Sequence, residues 1–144
     1  MSDAAPALPL YDVTARKVHQ WAMVVLVAAG FLLGGPAAVA LLTVAGLVML
    51  AGRFWWPADV FRQLTWRVLE PRGLLPRREL HEDHETRRIA RVLGGAVWLG
   101  AAGLILLHLT ILAWALALAV AVMVVLDAAF DFCALCFVLH RLRR

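Results

Sequence analysis

The chain holds two cysteines, Cys133 and Cys136, and both fall in a single C-x-x-C motif near its C-terminal end. A pair at this spacing can close a small disulfide, bind a soft metal or pass sulfur from one thiol to the next. If a helix starts at Cys133, the positive end of its dipole favours the thiolate there. Cys136, one turn on, then shares its face as the resolving partner. Packing is the competing reading, because a free cysteine is also a common small hydrophobe in buried positions.

Around the motif stand groups that can handle protons. Asp127 and Asp131 are four residues apart just ahead of the cysteines, and an acid at membrane depth is a functional candidate by default. Asp131 is close enough in sequence to Cys133 to accept a proton, and the role first expected of it is to cap the helix that follows. His140 follows Cys136 by one turn as a candidate acid or base, or as an interfacial histidine beside Arg141. His81 and His84 form an H-x-x-H pair that, with Cys133 and Cys136, offers four ligand types suited to tetrahedral zinc. The distance between the pairs is unlike a compact zinc finger and acids surround the histidines, so no metal is favoured.

The elements that must position these groups are apolar helices. The chain is 63% hydrophobic against roughly 45–50% in soluble domains, and its charges are segregated. Residues 20–52 and 92–126 contain no Asp, Glu, Lys or Arg. Each stretch is too long for one crossing of about 20 residues and must fold back on itself. Gly34-Gly35-Pro36 breaks the first stretch and His108-Leu109-Thr110 the second. The expected spans are Val13 to Leu33, capped by Asp12; Pro36 to about Arg53; Thr86 to Leu107; and Ile111 to Leu126. The expected fold is an all-α integral membrane protein of four transmembrane helices, with residues 1–144 as one domain.

The two hairpins, 12–54 and 83–144, read as copies of one unit. Asp12-Val13-Thr14-Ala15-Arg16 is echoed by His84-Glu85-Thr86-Arg87-Arg88. Phe54, Ala58 and Phe61 match Phe130, Ala134 and Phe137 at one constant offset. In the connector, 55–82, apolar Val60, Phe61, Leu64, Val68 and Leu69 alternate at helical spacing with Arg62, Gln63, Arg67 and Glu70. Pro57 to Leu69 is therefore expected to be an amphipathic helix lying in the interface, with Trp55, Trp56 and Trp66 at headgroup level. All Lys and Arg lie in the first turn or so of the first span, from the end of the second span through the connector into the start of the third, or after the last span. An excess of these residues marks cytoplasmic segments, which places both termini and the connector on the inner side of a bacterial cell membrane. The first residues lack the positive charge of a cleaved signal peptide. The basic balance reads as orientation in a lipid bilayer, with no nucleic-acid partner.

Two hairpins, a proline–arginine stretch, an acidic-then-arginine start to the third span and a terminal Phe-Cys-x-x-Cys segment together resemble a bacterial membrane family catalogued as domain of unknown function 4395. The likeness spans Asp12 to Arg144. That family typically ends Phe-Cys-x-Gly-Cys, and here Leu135 replaces the glycine in Phe132-Cys133-Ala134-Leu135-Cys136. The resemblance implies the four-helix fold, importance for the cysteines, and association with thioredoxin-like and rhodanese-like proteins. A looser similarity is to four-helix oxidoreductases such as the vitamin K epoxide reductases, which couple a cysteine pair to a quinone from the outer side.

The leading expectation is a membrane thiol redox or sulfur-handling protein whose partner is a cytoplasmic thioredoxin-like or sulfurtransferase protein. Cys133 would attack and Cys136 resolve. One alternative is a small transporter or channel subunit for a sulfur species or metal ion. It would need a homo-oligomer, for which Gly30, Gly34, Gly94, Gly100 and Gly103 would allow close helix contacts. Another is a structural or assembly subunit. No segment resembles a nucleotide-binding loop, a hydrolase triad or a haem attachment motif, and the sequence names no cofactor, substrate or redox direction.

Overall fold

In the computed structural model, residues 10–54, 60–74, 76, 79–81, 84–131 and 134–144 are described. A short strand, β1 (Leu10–Asp12), leads into α1 (Val13–Leu33), followed at once by α2 (Gly35–Phe54). The connector contains α3 (Val60–Leu64), which continues as one wider π-helical turn over Thr65–Leu69, and then β2 (Glu79–His81). The second hairpin is α4 (His84–Leu106) and α5 (Thr110–Phe130), and α6 (Ala134–Leu142) ends the chain. Four of these helices, α1, α2, α4 and α5, are long and apolar enough to cross a membrane.

Local chemistry sets the boundaries. Asp12 caps α1 as expected, its Oδ1 accepting from the backbone N–H of Thr14 at 3.0 Å and Ala15 at 3.2 Å, which satisfies two of the helix's otherwise open donors. The turn at the far end is made by Gly34 and Gly35, both with left-handed φ (65° and 54°), a conformation that glycine adopts without a Cβ penalty. Its counterpart is His108, also left-handed at φ 63°. There, Leu109 N–H bonds Leu104 O and His108 N–H bonds Ile105 O, the paired closure of a Schellman motif.

Three expectations change. The last transmembrane helix continues past Leu126 through Asp127 to Phe130, because a neighbouring arginine neutralises the Asp127 carboxylate inside its final turn. The connector adds a two-stranded antiparallel ribbon, Leu10 opposite His81 and Asp12 opposite Glu79, so the helical fold carries one small sheet at its charged end. The connector is helical from Val60 to Leu69, a shorter run than Pro57 to Leu69, while Pro57, Trp55 and Trp56 lie outside the described residues.

Positions matched between the two hairpins fall at comparable points of the fold. Phe54 is the last residue of α2 and its match Phe130 the last residue of α5. Each hairpin is followed by a short helix, α3 or α6. In the bundle α1 packs on α2, α2 on α4, α4 on α5 and α5 back on α1. One apolar core runs through all four helices, with Met23 and Val27 from α1, Leu42 and Ala45 from α2, Trp98 and Ala101 from α4, and Ala113 and Ala117 from α5. Trp98 is fully buried and donates its indole N–H to Ala117 O at 3.2 Å. Large apolar side chains such as Leu32, Ile111 and Val122 point outward, the inverse of a soluble bundle and suited to lipid contact.

The closest helix approach is between α2 and α4 at Gly46 and Gly95. A Cβ on Gly46 would lie 2.7 Å from Leu99 Cγ and 2.9 Å from Gly95 O, and one on Gly95 would lie 3.0 Å from Gly46 O. Of the glycines expected at helix contacts, Gly30 and Gly94 do pack against neighbours, whereas Gly100 and Gly103 face open space and Gly34 makes the turn. Helical phase decides the difference, since Gly100 lies on the side of α4 turned away from the bundle.

Candidate functional site at the charged end of the bundle

The polar groups collect at one end, where α1 and α4 begin and α2 and α5 finish. At the close of α5 two carboxylates lie one turn apart and are held separately. Asp127 Oδ1 accepts from Arg87 Nη1 of α4 at 2.8 Å, and its Oδ2 accepts from the Gln20 amide of α1. Asp131 Oδ1 pairs with Arg16 Nη2 at 3.1 Å and its Oδ2 with Lys17 Nζ at 3.2 Å. The two helices run antiparallel, so Arg16 and Gln20 on α1 meet Asp131 and Asp127 on α5 in register. Asp127 is thus tied to the start of α4 and to α1, and Asp131 to two cations of α1.

Asp131 stands at the corner between α5 and α6 with left-handed backbone (φ 55°, ψ 24°). Aspartate tolerates this region better than most side chains, and its carboxylate is anchored by α1 while the backbone turns. The pair to Arg16 is buried on the arginine side, and Asp131 itself is half exposed. A carboxylate that sequence reasoning offered as a proton acceptor or cap therefore also ties the first helix to the last corner.

The cysteines flank the start of α6. Ala134 is its first residue, so Cys136 lies in its first turn. Cys133, immediately before Ala134, lies outside the described residues, as does the side chain of Cys136. His140 is exposed in the last turn of α6. The zinc alternative falls on side chains outside the described residues; in the backbone, His81 belongs to β2 and His84 opens α4.

A second polar cluster joins the connector to α1. Asp12 is buried and its Oδ2 accepts from the Trp66 indole N–H at 2.7 Å, which ties the connector to the start of α1. Thr14 Oγ1 donates to Pro76 O at 2.7 Å. The buried His19 ring meets Phe61 edge-on at 6.1 Å. Burial first, and the nearby charge of Arg91 second, push the Arg62 guanidinium down to about 9, so it stays cationic at neutral pH.

None of these cross-helix partners was legible as a pair in the sequence. One signal was present: Arg16/Gln20 and Asp127/Asp131 are both spaced i, i+4, on helices whose basic and acidic ends fall at the same side of the bundle.

Four apolar helices, with the ionic groups described gathered at one end, define a multi-pass membrane protein whose sequence carries a C-terminal C-x-x-C motif. The chain belongs to the family described as Domain of unknown function (DUF4395), which matches residues 11–144. No curated protein and no solved structure matches it.

Proposed function

We propose that the chain is a membrane thiol redox or sulfur-handling protein that works through Cys133 and Cys136 at the cytoplasmic face of a bacterial inner membrane. The observation that carries this reading is the position of the motif. The chain's only two cysteines bracket the first residue of α6, at the ionic end of the bundle. The basic segments at that end supply the orientation, by the positive-inside bias.

In the exchange reaction Cys133 thiolate attacks one sulfur of a partner disulfide. The partner's S–S bond breaks, a mixed disulfide forms and one partner thiol leaves. Cys136 then attacks the Cys133 sulfur, closing the Cys133–Cys136 disulfide and releasing the second partner thiol. Two electrons pass from the membrane dithiol to the partner disulfide, and the two protons go with the released thiols. The same nucleophile suits sulfur transfer: Cys133 thiolate attacks the outer sulfur of a donor persulfide, the donor thiolate leaves, and Cys133 carries the persulfide. The partner class is a cytoplasmic thioredoxin-like or sulfurtransferase protein.

The test is purified protein with Cys133→Ser and Cys136→Ser variants. Cys136→Ser should accumulate a mixed disulfide with a thioredoxin-like partner, and Cys133→Ser should not. Intact mass after incubation with a persulfide donor should show one added sulfur on wild type and none on Cys133→Ser. Equal, slow labelling of both thiols, with both variants fully functional in the cell, would overturn the reading.

A further inference from the structure

The last helix starts where α5 has used up the thickness of a membrane. α5 holds 21 residues, about 31 Å of helix at about 1.5 Å per residue, and the hydrocarbon core of a bilayer is about 30 Å thick. The left-handed backbone at Asp131 then ends α5, so α6 (Ala134–Leu142) begins at headgroup level. It packs on α4 and α5. Yet Phe137, Val138, Arg141 and Leu142, spaced i, i+1, i+4 and i+5 on one side of it, are exposed, Leu142 by 77%.

The charge of this segment is one-sided. Residues 132–144 contain Arg141, Arg143 and Arg144 and no Asp or Glu. The three arginines are exposed and make no ion pair among the described residues. The two carboxylates at the end of α5 are already taken, Asp127 by Arg87 and Asp131 by Arg16 and Lys17. The counter-charge for α6 therefore has to come from outside the chain.

We propose that α6 is an anchor for anionic phospholipid: Phe137, Val138 and Leu142 enter the acyl boundary while Arg141, Arg143 and Arg144 meet lipid phosphates. Amphipathic helices with basic polar residues bind the interface in this way, through apolar burial and attraction to anionic headgroups. A guanidinium suits phosphate because its planar fork can donate two hydrogen bonds at once. Arg141, between apolar neighbours, can lay its stem along the acyl boundary and keep its head among the phosphates. A second copy of the chain fits this face less well, since a second α6 brings the same three arginines and no acid. Neither cysteine takes part, so the anchor stands or falls apart from the thiol reading.

The test is hydrogen–deuterium exchange of the full chain in vesicles of phosphatidylcholine alone and of phosphatidylcholine mixed with phosphatidylglycerol. The α6 amides should exchange more slowly in the mixed vesicles, by about fivefold for each arginine held at the surface, and high salt should remove most of the difference. Replacing all three, Arg141→Gln, Arg143→Gln and Arg144→Gln, should make the two kinds of vesicle equal for α6. Unchanged exchange in α1, α2, α4 and α5 checks that this variant is folded. Leu142→Ser should speed α6 exchange in both kinds of vesicle, because it removes apolar contact and no charge. Equal α6 exchange of the wild type in the two kinds of vesicle overturns the anchor without reference to any variant. So does protection that follows protein density in the membrane instead of lipid charge, which would put a second copy on this face.

Discussion

The two hairpins meet along two seams, α2 with α4 and α5 with α1, and the seams are built from different chemistry. Between α2 and α4 the backbones close on Gly46 and Gly95, with no room for a Cβ. Between α5 and α1 the contact is ionic at the charged end, through Arg16, Lys17 and Gln20, and aromatic at the other, where Phe31 and Trp114 meet edge-on at 5.0 Å. The sequence explains the divergence. At the offsets that align the two copies, Met23 stands where the second hairpin has Gly95, and Val122 where the first has Gly46. Helices with glycine at the crossing can associate through packing alone. Helices without it need other glue, and the second seam supplies it from side chains at its ends. The first seam is closed at a glycine crossing, and the second is tied by ion pairs that solution conditions can reach.

The largest effect should come from filling the first seam. Gly46→Ala places a carbon against both Leu99 and the Gly95 carbonyl, and the carbonyl cannot swing away as a side chain can. Overpacking of this kind costs about 1–3 kcal/mol, and contact with backbone puts Gly46→Ala near the upper end. Gly100→Ala, where a Cβ meets open space, should change the unfolding midpoint in detergent hardly at all. Equal effects from both would show that α2 and α4 are not in close contact there.

Next in size is Asp127. Its carboxylate is mostly enclosed and holds Arg87 on α4 and Gln20 on α1 together, so Asp127→Ala leaves a partly buried arginine without that partner. Polar interactions between membrane helices are worth about 0.6–2 kcal/mol, and a loss of about 1–2 kcal/mol is expected in the same unfolding measurement. Arg87→Gln should lose less when combined with Asp127→Ala than when made alone, because the two share one interaction. Strict additivity would show that the pair does not couple.

How far these features were legible follows from how local they are. The Asp12 cap, the Gly34-Gly35 turn and the break at His108 are written in neighbouring residues, and the structure keeps them. The α5 terminus was missed because Asp127 reads as the end of an apolar run until Arg87, forty residues earlier, is brought beside it. The β1–β2 ribbon and the Trp66–Asp12 bond join segments far apart in sequence, and neither three-residue strand has enough alternation to announce itself. Gly46 was indistinguishable from Gly100 by composition. What separates them is helical phase relative to a partner whose own phase the sequence does not state.

The smallest expected effect separates the two seams by their response to salt. The Lys17–Asp131 pair is at 3.2 Å with the carboxylate half exposed, so water screens it and the long lysine side chain loses freedom in holding it. Exposed pairs of this kind contribute about 0.2–1 kcal/mol, and the lower half of that range suits a lysine that shares its partner with Arg16. The Debye length shrinks from about 10 Å at 0.1 M to about 3 Å at 1 M, so raising salt should remove most of this contribution. Wild type should therefore lose a few tenths of a kcal/mol between low and high salt, Lys17→Gln should lose less, and the cost of Gly46→Ala should be the same at both salts because the atoms its Cβ meets, Leu99 side chain and Gly95 carbonyl, carry no net charge. A salt response in the glycine variant's cost as large as in Lys17→Gln would mean the seams are coupled through the bundle. The charged end would then not be an independent module.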